Sequence, residues 1–259
     1  MITIKAKTIN DAFYQLCWAF MEKDETGNFV NTYEIGIDSG SFGKDKGGDQ
    51  TRIQADLVSV EIECPGVRPL AVTFPEGCGI PPVCTEDSIN EYFTNYIINP
   101  DIPAKEEYTY GSRMFAWPYF KKSRVEVIYL HEDDVIQEFN QVQWVIDHLK
   151  EFPQNNHCCI QVAKGDDFML KSAPCLRSVS WKLLPDNTLN ITVFFRSWDL
   201  WSALPTNLGG LQLLNEYVAQ EIGATQGKMF AVSDGLHIYS QYLEMVHMRL
   251  NREYKKNAL

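Results

Sequence analysis

The run from Arg177 to Ile222 constrains the fold more than any other part of the chain. Arg177–Leu184 and Thr188–Phe195 each read as a strand, and Pro185, Asp186 and Asn187 form the turn between them, so the pair is predicted to be a β-hairpin. Leu208–Ile222 then reads as a helix so apolar that most of its sides must be buried, with Gly223 as its stop. Other elements surround this unit without a βαβ rhythm. Strands are predicted at Ile2–Ala6, Leu57–Cys64, Cys158–Ala163 and Gly227–Val232. Helices are predicted at Ile9–Glu22 (capped by Thr8), Ser88–Ile98, Val135–Leu149 and Ile238–Arg252. Gly40–Gln50 reads as a mobile loop and Cys78–Pro82 as a turn. The mixture implies an α+β fold, and the absence of repeats and linkers implies one domain over residues 1–259.

Composition removes several classes of function. The 259 residues are 45% hydrophobic, enough for a large core, and carry a formal net charge of −11. Such a chain is no coat for a nucleic acid polymer, which needs clustered Lys and Arg. Its seven cysteines are odd in number, with no C-x-x-C pair, so neither a zinc site nor any other metal site is expected. The first residues lack a signal-peptide core, and no run of 18 apolar residues could span a membrane. A reduced, cytoplasmic protein with free thiols is expected.

Candidate chemistry concentrates after Pro174. Cys175 follows it, with Arg177 two residues on and Arg196 on the hairpin partner. A thiol attacks as thiolate, and neighbouring arginines lower its pKa. Arg196 and Ser197 are a suitable pair for a phosphate dianion. The Asn207 carboxamide offers a donor and an acceptor side by side, and it could also cap the helix predicted from Leu208. No GxGxxG or P-loop sequence occurs, so NAD and ATP sites are not indicated.

This order of residues, PCLRS, then FFRSWDLW, ALPTN and SDGLHIY, resembles the thymidylate synthase superfamily, which modifies C5 of a pyrimidine nucleotide. The resemblance runs from about Pro174 to Met245. It implies a mixed sheet with helices packed on one face, and Cys175 as covalent nucleophile. It further implies Arg196 and Ser197 on the substrate phosphate, Asp199 on the pterin, Asn207 on uracil, and His237 and Tyr239 on the sugar 3′-hydroxyl. Asp234 and Gly235 are both candidates for the residue before the His-x-Tyr. Upstream, YTYGSR resembles the Tyr-Gly motif and makes Tyr110 the aid to proton transfer at C5. Glu91 is read either as the family's water-organising glutamate or as a solvated helix residue. Arg52 is read either as a loop arginine that closes over phosphate or as a surface residue.

The chain also departs from the family pattern. Leu176 follows the cysteine where many members have His, and Phe195 precedes Arg196 where Gln is usual. Asn156, His157 and Cys158 stand where many members have Ser-Arg-Arg, arginines that reach the partner subunit's phosphate. The end, KKNAL, lacks the hydrophobic tail that closes over folate. These features resemble a divergent archaeal-type branch. The resemblance implies a homodimer and transfer of a one-carbon unit to dUMP, with reduction, from 5,10-methylenetetrahydrofolate or a methanopterin-type analogue. A pyrimidine nucleotide hydroxymethylase using the same residues, and a non-catalytic nucleotide-binding protein on the same fold, are the alternatives.

Overall fold

In the computed structural model, residues 1–36, 51–120 and 136–251 are described. Strand β1 (Ile2–Ala6) turns Ile2, Ile4 and Ala6 inward, as alternation requires. Helix α1 (Ile9–Phe20) is capped by Thr8, whose hydroxyl accepts from Asp11 N–H at 3.2 Å. Then come β2 (Tyr33–Gly36), β3 (Thr51–Gln54), β4 (Val58–Ile62), and α2 (Glu86–Tyr92), which runs on into a π-helical turn, Phe93–Ile97. They are followed by α3 (Tyr110–Met114), β5 (Trp117–Phe120), β6 (Ile136–Phe139), α4 (Gln141–Glu151) and β7 (Cys159–Gln161). The C-terminal half holds β8 (Leu176–Leu183), β9 (Thr188–Phe195), β10 (Trp198–Asp199), α5 (Leu204–Ile222), β11 (Thr225–Ser233), β12 (Leu236–Tyr239) and α6 (Leu243–Arg249).

Among the described residues the strands form three sheets. A mixed six-stranded sheet has the order β1-β4-β11-β9-β8-β7, a second sheet the order β10-β12-β3-β2, and β5 and β6 pair alone. The expected hairpin is β8–β9, in register from Leu183–Leu189 back toward its open end. Asn187 takes a left-handed φ of 64°, and the Asp186 carboxylate accepts from both the N–H and the hydroxyl of Thr188. Near the open end, Arg177 is an extra residue in β8 opposite Phe194 and Phe195, a bulge that frees its side chain from the ladder.

The helices pack on one face of the large sheet, as expected for the α+β class. Helix α1 lies on β1 and β4, and α5 lies on β9 and β11 with α1, α2 and α4 around it. Burial of Leu204, Leu208, Leu211, Leu214 and Val218 makes α5 the centre of the core. Its Gly210 is required for close approach. A Cβ there would lie 2.7 Å from both Ile97 and Tyr92, so a larger residue would push the α2 segment away.

Three sequence expectations need correction. Helix α5 begins at Leu204, not Leu208, because Pro205 is well suited to a first helical turn. Asn207 is therefore inside the helix and does not cap it. The helix expected over Val135–Leu149 begins only at Gln141, capped by the Asn140 side chain on Gln143 N–H at 2.8 Å; Ile136–Phe139 instead pairs with β5. The expected helix Ile238–Arg252 is β12, a short 3₁₀ turn and α6, because Ile238 pairs with Ile53. The predicted loop Gly40–Gln50 and the KKNAL end lie outside the described residues. Among the described residues, no helix is long and apolar enough to cross a membrane.

A buried ion cluster fixes the segment before Cys175. The Asp167 carboxylate accepts from Arg113 at 2.9 Å, from Arg177 at 3.0 Å and from Lys164 N–H at 2.8 Å. Its side chain is only 3% exposed, and that of Arg113 only 7%. Removing one member of such a pair leaves the other charge buried and unmatched, at a cost of about 3–5 kcal/mol. Asp167→Ala is expected to lose stability on that scale in urea denaturation. A loss well under ~1 kcal/mol, the value of a solvated surface pair, would contradict the burial argument.

Candidate active site

The open end of the β8–β9 hairpin builds one wall of a cleft of about 770 Å³. Arg196 N–H donates to the Cys175 carbonyl at 2.9 Å and closes the hairpin there. The Arg196 guanidinium then reaches back, donating from Nε to Pro174 O at 3.1 Å and from Nη2 to Ala173 O at 2.5 Å. It therefore shapes the turn that presents Cys175, and its Nη1 remains for an anion. Ser197 lies beside it in the lining, with Lys171 and Ser172 from the preceding loop.

The other walls come from distant segments. Strand β10 pairs in parallel with β12, matching Asp199 to His237. Gly235 is the residue this contact demands, since a Cβ on it would sit 2.5 Å from Arg196 O. The closely packed residue between the two motifs is thus Gly235, and Asp234 also lines the cleft. His237 is 3% exposed. Its Nδ1 lies 2.8 Å from Gly235 O, a pure acceptor, so Nδ1 carries the proton. Burial pushes the imidazole pKa down and keeps the ring neutral, leaving Nε2 a buried acceptor with no hydrogen-bond partner among the described residues. Tyr239 packs edge-on against it at 4.9 Å and hydrogen-bonds Arg52, its cross-strand neighbour. Arg52, by sequence a loop arginine that closes over phosphate or a surface residue, is on strand β3 and lines the cleft.

Asn207 sits at the start of α5. Its Oδ1 accepts from Trp198 Nε1 at 2.9 Å, and its Nδ2 donates to the Tyr92 hydroxyl at 2.9 Å. Phe195, the unusual residue before Arg196, stacks parallel to Trp198 at 4.2 Å. Asp199 also lines the cleft, although its carboxylate holds the turn into α5: Oδ1 accepts from Trp201 and Ser202 N–H, and Oδ2 accepts from the Ser202 hydroxyl.

Tyrosines complete the lining. Tyr110 accepts Leu176 N–H at 3.2 Å, which places its hydroxyl beside the backbone of the residue after Cys175. Tyr92 and Tyr96 stack at 5.5 Å, Tyr96 meets Tyr110 edge-on at 5.1 Å, and Tyr108 stacks on Tyr110 at 6.3 Å. Sequence reasoning missed Tyr92, Tyr96 and Trp198. The i, i+4 spacing of the first two on a predicted helix was the available signal. Glu91 does not join them. It is exposed and borders a separate hollow of about 700 Å³, with Tyr92 and Tyr96 as the shared wall. The 156–158 segment, where the family pattern has arginines, lies outside the cleft lining; His157 is exposed beside His148, and Cys158 is buried.

Electrostatics correct the expectation that arginines keep Cys175 ionised. Burial raises the thiol pKa above the ordinary range, and the positive charges of Arg196 and Arg177 offset only part of that. Cys175 therefore rests as a thiol. Its alkylation by iodoacetamide, followed by peptide mass mapping, is expected to keep accelerating above pH ~8.5, the unperturbed thiol value. Arg196→Ala should move the midpoint higher still, because it removes a positive charge. A wild-type midpoint below that pH would show that charge, not burial, dominates.

Fold and site together define a class: α+β proteins with a cysteine–arginine–asparagine cleft assembled by one hairpin and one buried helix. Residues 1–259 match the family model for thymidylate synthase, and the chain belongs to that family. A protein of the archaeon Methanosarcina acetivorans named "Putative thymidylate synthase" is 28% identical over 247 residues, 94% of this chain and 92% of its own length. The "Thymidylate synthase" of Novosphingobium aromaticivorans is 29% identical over 147 residues, 56% of this chain and 45% of its own length. The solved thermostable thymidylate synthase A from Bacillus subtilis shares the fold, with a TM-score of 0.63 at 15% identity over 96% of this chain and 86% of that one.

Proposed function

We propose that the protein is a thymidylate synthase that transfers and reduces a one-carbon unit onto C5 of dUMP. The observation that carries this reading is the meeting of Cys175, Arg196, Asn207 and His237 in one cleft, each offering what a uracil nucleotide lacks. Arg196 Nη1 and the Ser197 hydroxyl suit the phosphate, with Arg52 behind Tyr239 as a further positive charge. The sugar hydroxyl falls to His237 and Tyr239, which line the cleft with their rings packed edge-on. Asn207 retains one proton on Nδ2 and one lone pair on Oδ1, the complement of O4 and N3–H.

The chemistry follows from these placements. Cys175, once deprotonated, bonds to C6; the C5–C6 electron pair moves toward O4, where the Asn207 N–H steadies the developing charge and C5 becomes nucleophilic. A reduced pterin, when bound, supplies the methylene group and the hydride. Burial pushes the Tyr110 pKa well up, so its hydroxyl stays protonated. It can take up the C5 proton only while passing on its own, which makes it a relay and not a standing base. The flat faces of the tyrosine wall and the remaining lone pairs of Asp199 fit a pterin ring.

A homodimer in the cytoplasm completes the proposal. All seven cysteines are free, which suits a reducing compartment. Half-buried Phe194, Phe230 and Val232 alternate with the core residues of β9 and β11 and so point out of the opposite face of the sheet, where a second copy would cover them. Sedimentation equilibrium should return twice the chain mass, and a monomer at micromolar concentration would remove that element.

The enzymatic reading is tested by incubating the protein with dUMP and methylenetetrahydrofolate and weighing the product. A methyl product is expected; a hydroxymethyl product would make it a hydroxymethylase, and no product would favour a binding protein. Fluoro-dUMP with the same pterin should label Cys175. Labelling of Cys84 or Cys158 instead would displace Cys175 as nucleophile.

A further inference from the structure

We infer that Trp198 decides which pyrimidine the cleft accepts, by locking the orientation of the Asn207 carboxamide. This rests on the uracil reading above and deepens it. An asparagine side chain turned by half a rotation exchanges its oxygen and its NH₂ at almost no change of shape. In one orientation it gives a donor to O4 and an acceptor to N3–H, the edge of uracil. In the other it gives an acceptor to a 4-amino group and a donor to bare N3, the edge of cytosine. Asn207 alone therefore does not choose between the two bases; its neighbours choose.

The two neighbours are not equivalent. Trp198 Nε1 lies 2.9 Å from Oδ1, and an indole N–H can only donate. A flipped amide would set the NH₂ group against it, donor facing donor, at a residue that is 3% exposed. The indole cannot turn aside. It lies parallel to the fully buried Phe195, with ring centroids 4.2 Å apart and planes within 4°, and its backbone pairs with Leu236. Tyr92, 2.9 Å from Nδ2, exerts no such control, because a hydroxyl both donates and accepts and serves either amide orientation. Trp198 is thus a positioning residue that sets specificity through Asn207, and Tyr92 follows.

The test is titration of dUMP and of dCMP into wild type, Trp198→Phe and Tyr92→Phe. Trp198→Phe keeps an aromatic ring against Phe195 and removes the indole N–H. It is expected to narrow the dUMP-to-dCMP affinity ratio by about tenfold or more, the scale of one buried hydrogen-bond mismatch, chiefly through a gain for dCMP. Tyr92→Phe should weaken both nucleotides and keep their ratio. A wild-type ratio retained by Trp198→Phe, with dUMP still bound, overturns the lock and leaves the uracil reading standing. Wild-type protein that binds neither nucleotide, or prefers dCMP, overturns the uracil reading itself and the lock with it. Should Trp198→Phe fail to fold, ¹⁵N-tryptophan labelling of the wild type decides. The lock requires the Trp198 indole proton to resist solvent exchange with dUMP bound, and fast exchange there overturns it.

Discussion

The rest of the site depends on the hydrogen bond from Arg196 N–H to the Cys175 carbonyl, 2.9 Å long, at the open end of the β8–β9 hairpin. It joins two residues 21 positions apart in the chain and makes the guanidinium of one the brace for the loop of the other. The tight Pro185–Asn187 turn at the far end sets the register. Every residue of β8 and β9 facing the core then holds that register, because a slip by one would turn Leu189, Ile191 and Val193 to the wrong face. The bulge at Arg177 is a tolerated exception. It releases that arginine toward Asp167, which ties the loop before Cys175 to α3 and hence to Tyr110.

Packing of α5 supplies the second half of the site by the same logic. The helix is surrounded because it is apolar on most sides, and its glycines let α2 and the π-helical turn approach closely. That approach brings Tyr92 to Asn207 and sets Tyr96 beside Tyr110. Core packing and site geometry are therefore one constraint. The cleft also reverses the electrostatics of the whole. A chain of formal charge −11 brings Arg52, Lys171 and Arg196 into one hollow with Asp199 and Asp234, so positive groups outnumber negative ones there despite the global sign. The same burial that strengthens those charges raises the thiol of Cys175, so its activation awaits what binds beside it.

Sequence by itself determined the elements whose signals are local. The hairpin, the cap at Thr8, the buried character of α5 and the α+β class were all legible, because turn chemistry and side-chain periodicity act within a few residues. The order Cys175, Arg196, Asn207, His237 was legible too, as a resemblance carried by motifs. Only the tertiary structure decided the rest. Ile136–Phe139 and Ile238 carry apolar residues at spacings that suit a helix, and became strands because β5 and β3 offered them partners. Glu91 and Tyr92 are adjacent on one helix, and the packing of α5 against that helix set Tyr92 on Asn207 and left Glu91 outside the cleft. The state of the Cys175 thiol was likewise undecidable from neighbouring arginines, since burial is a property of the assembled core. Local signals fix what each segment is; which atoms meet depends on contacts between segments far apart in the chain, and no local pattern encodes those distances.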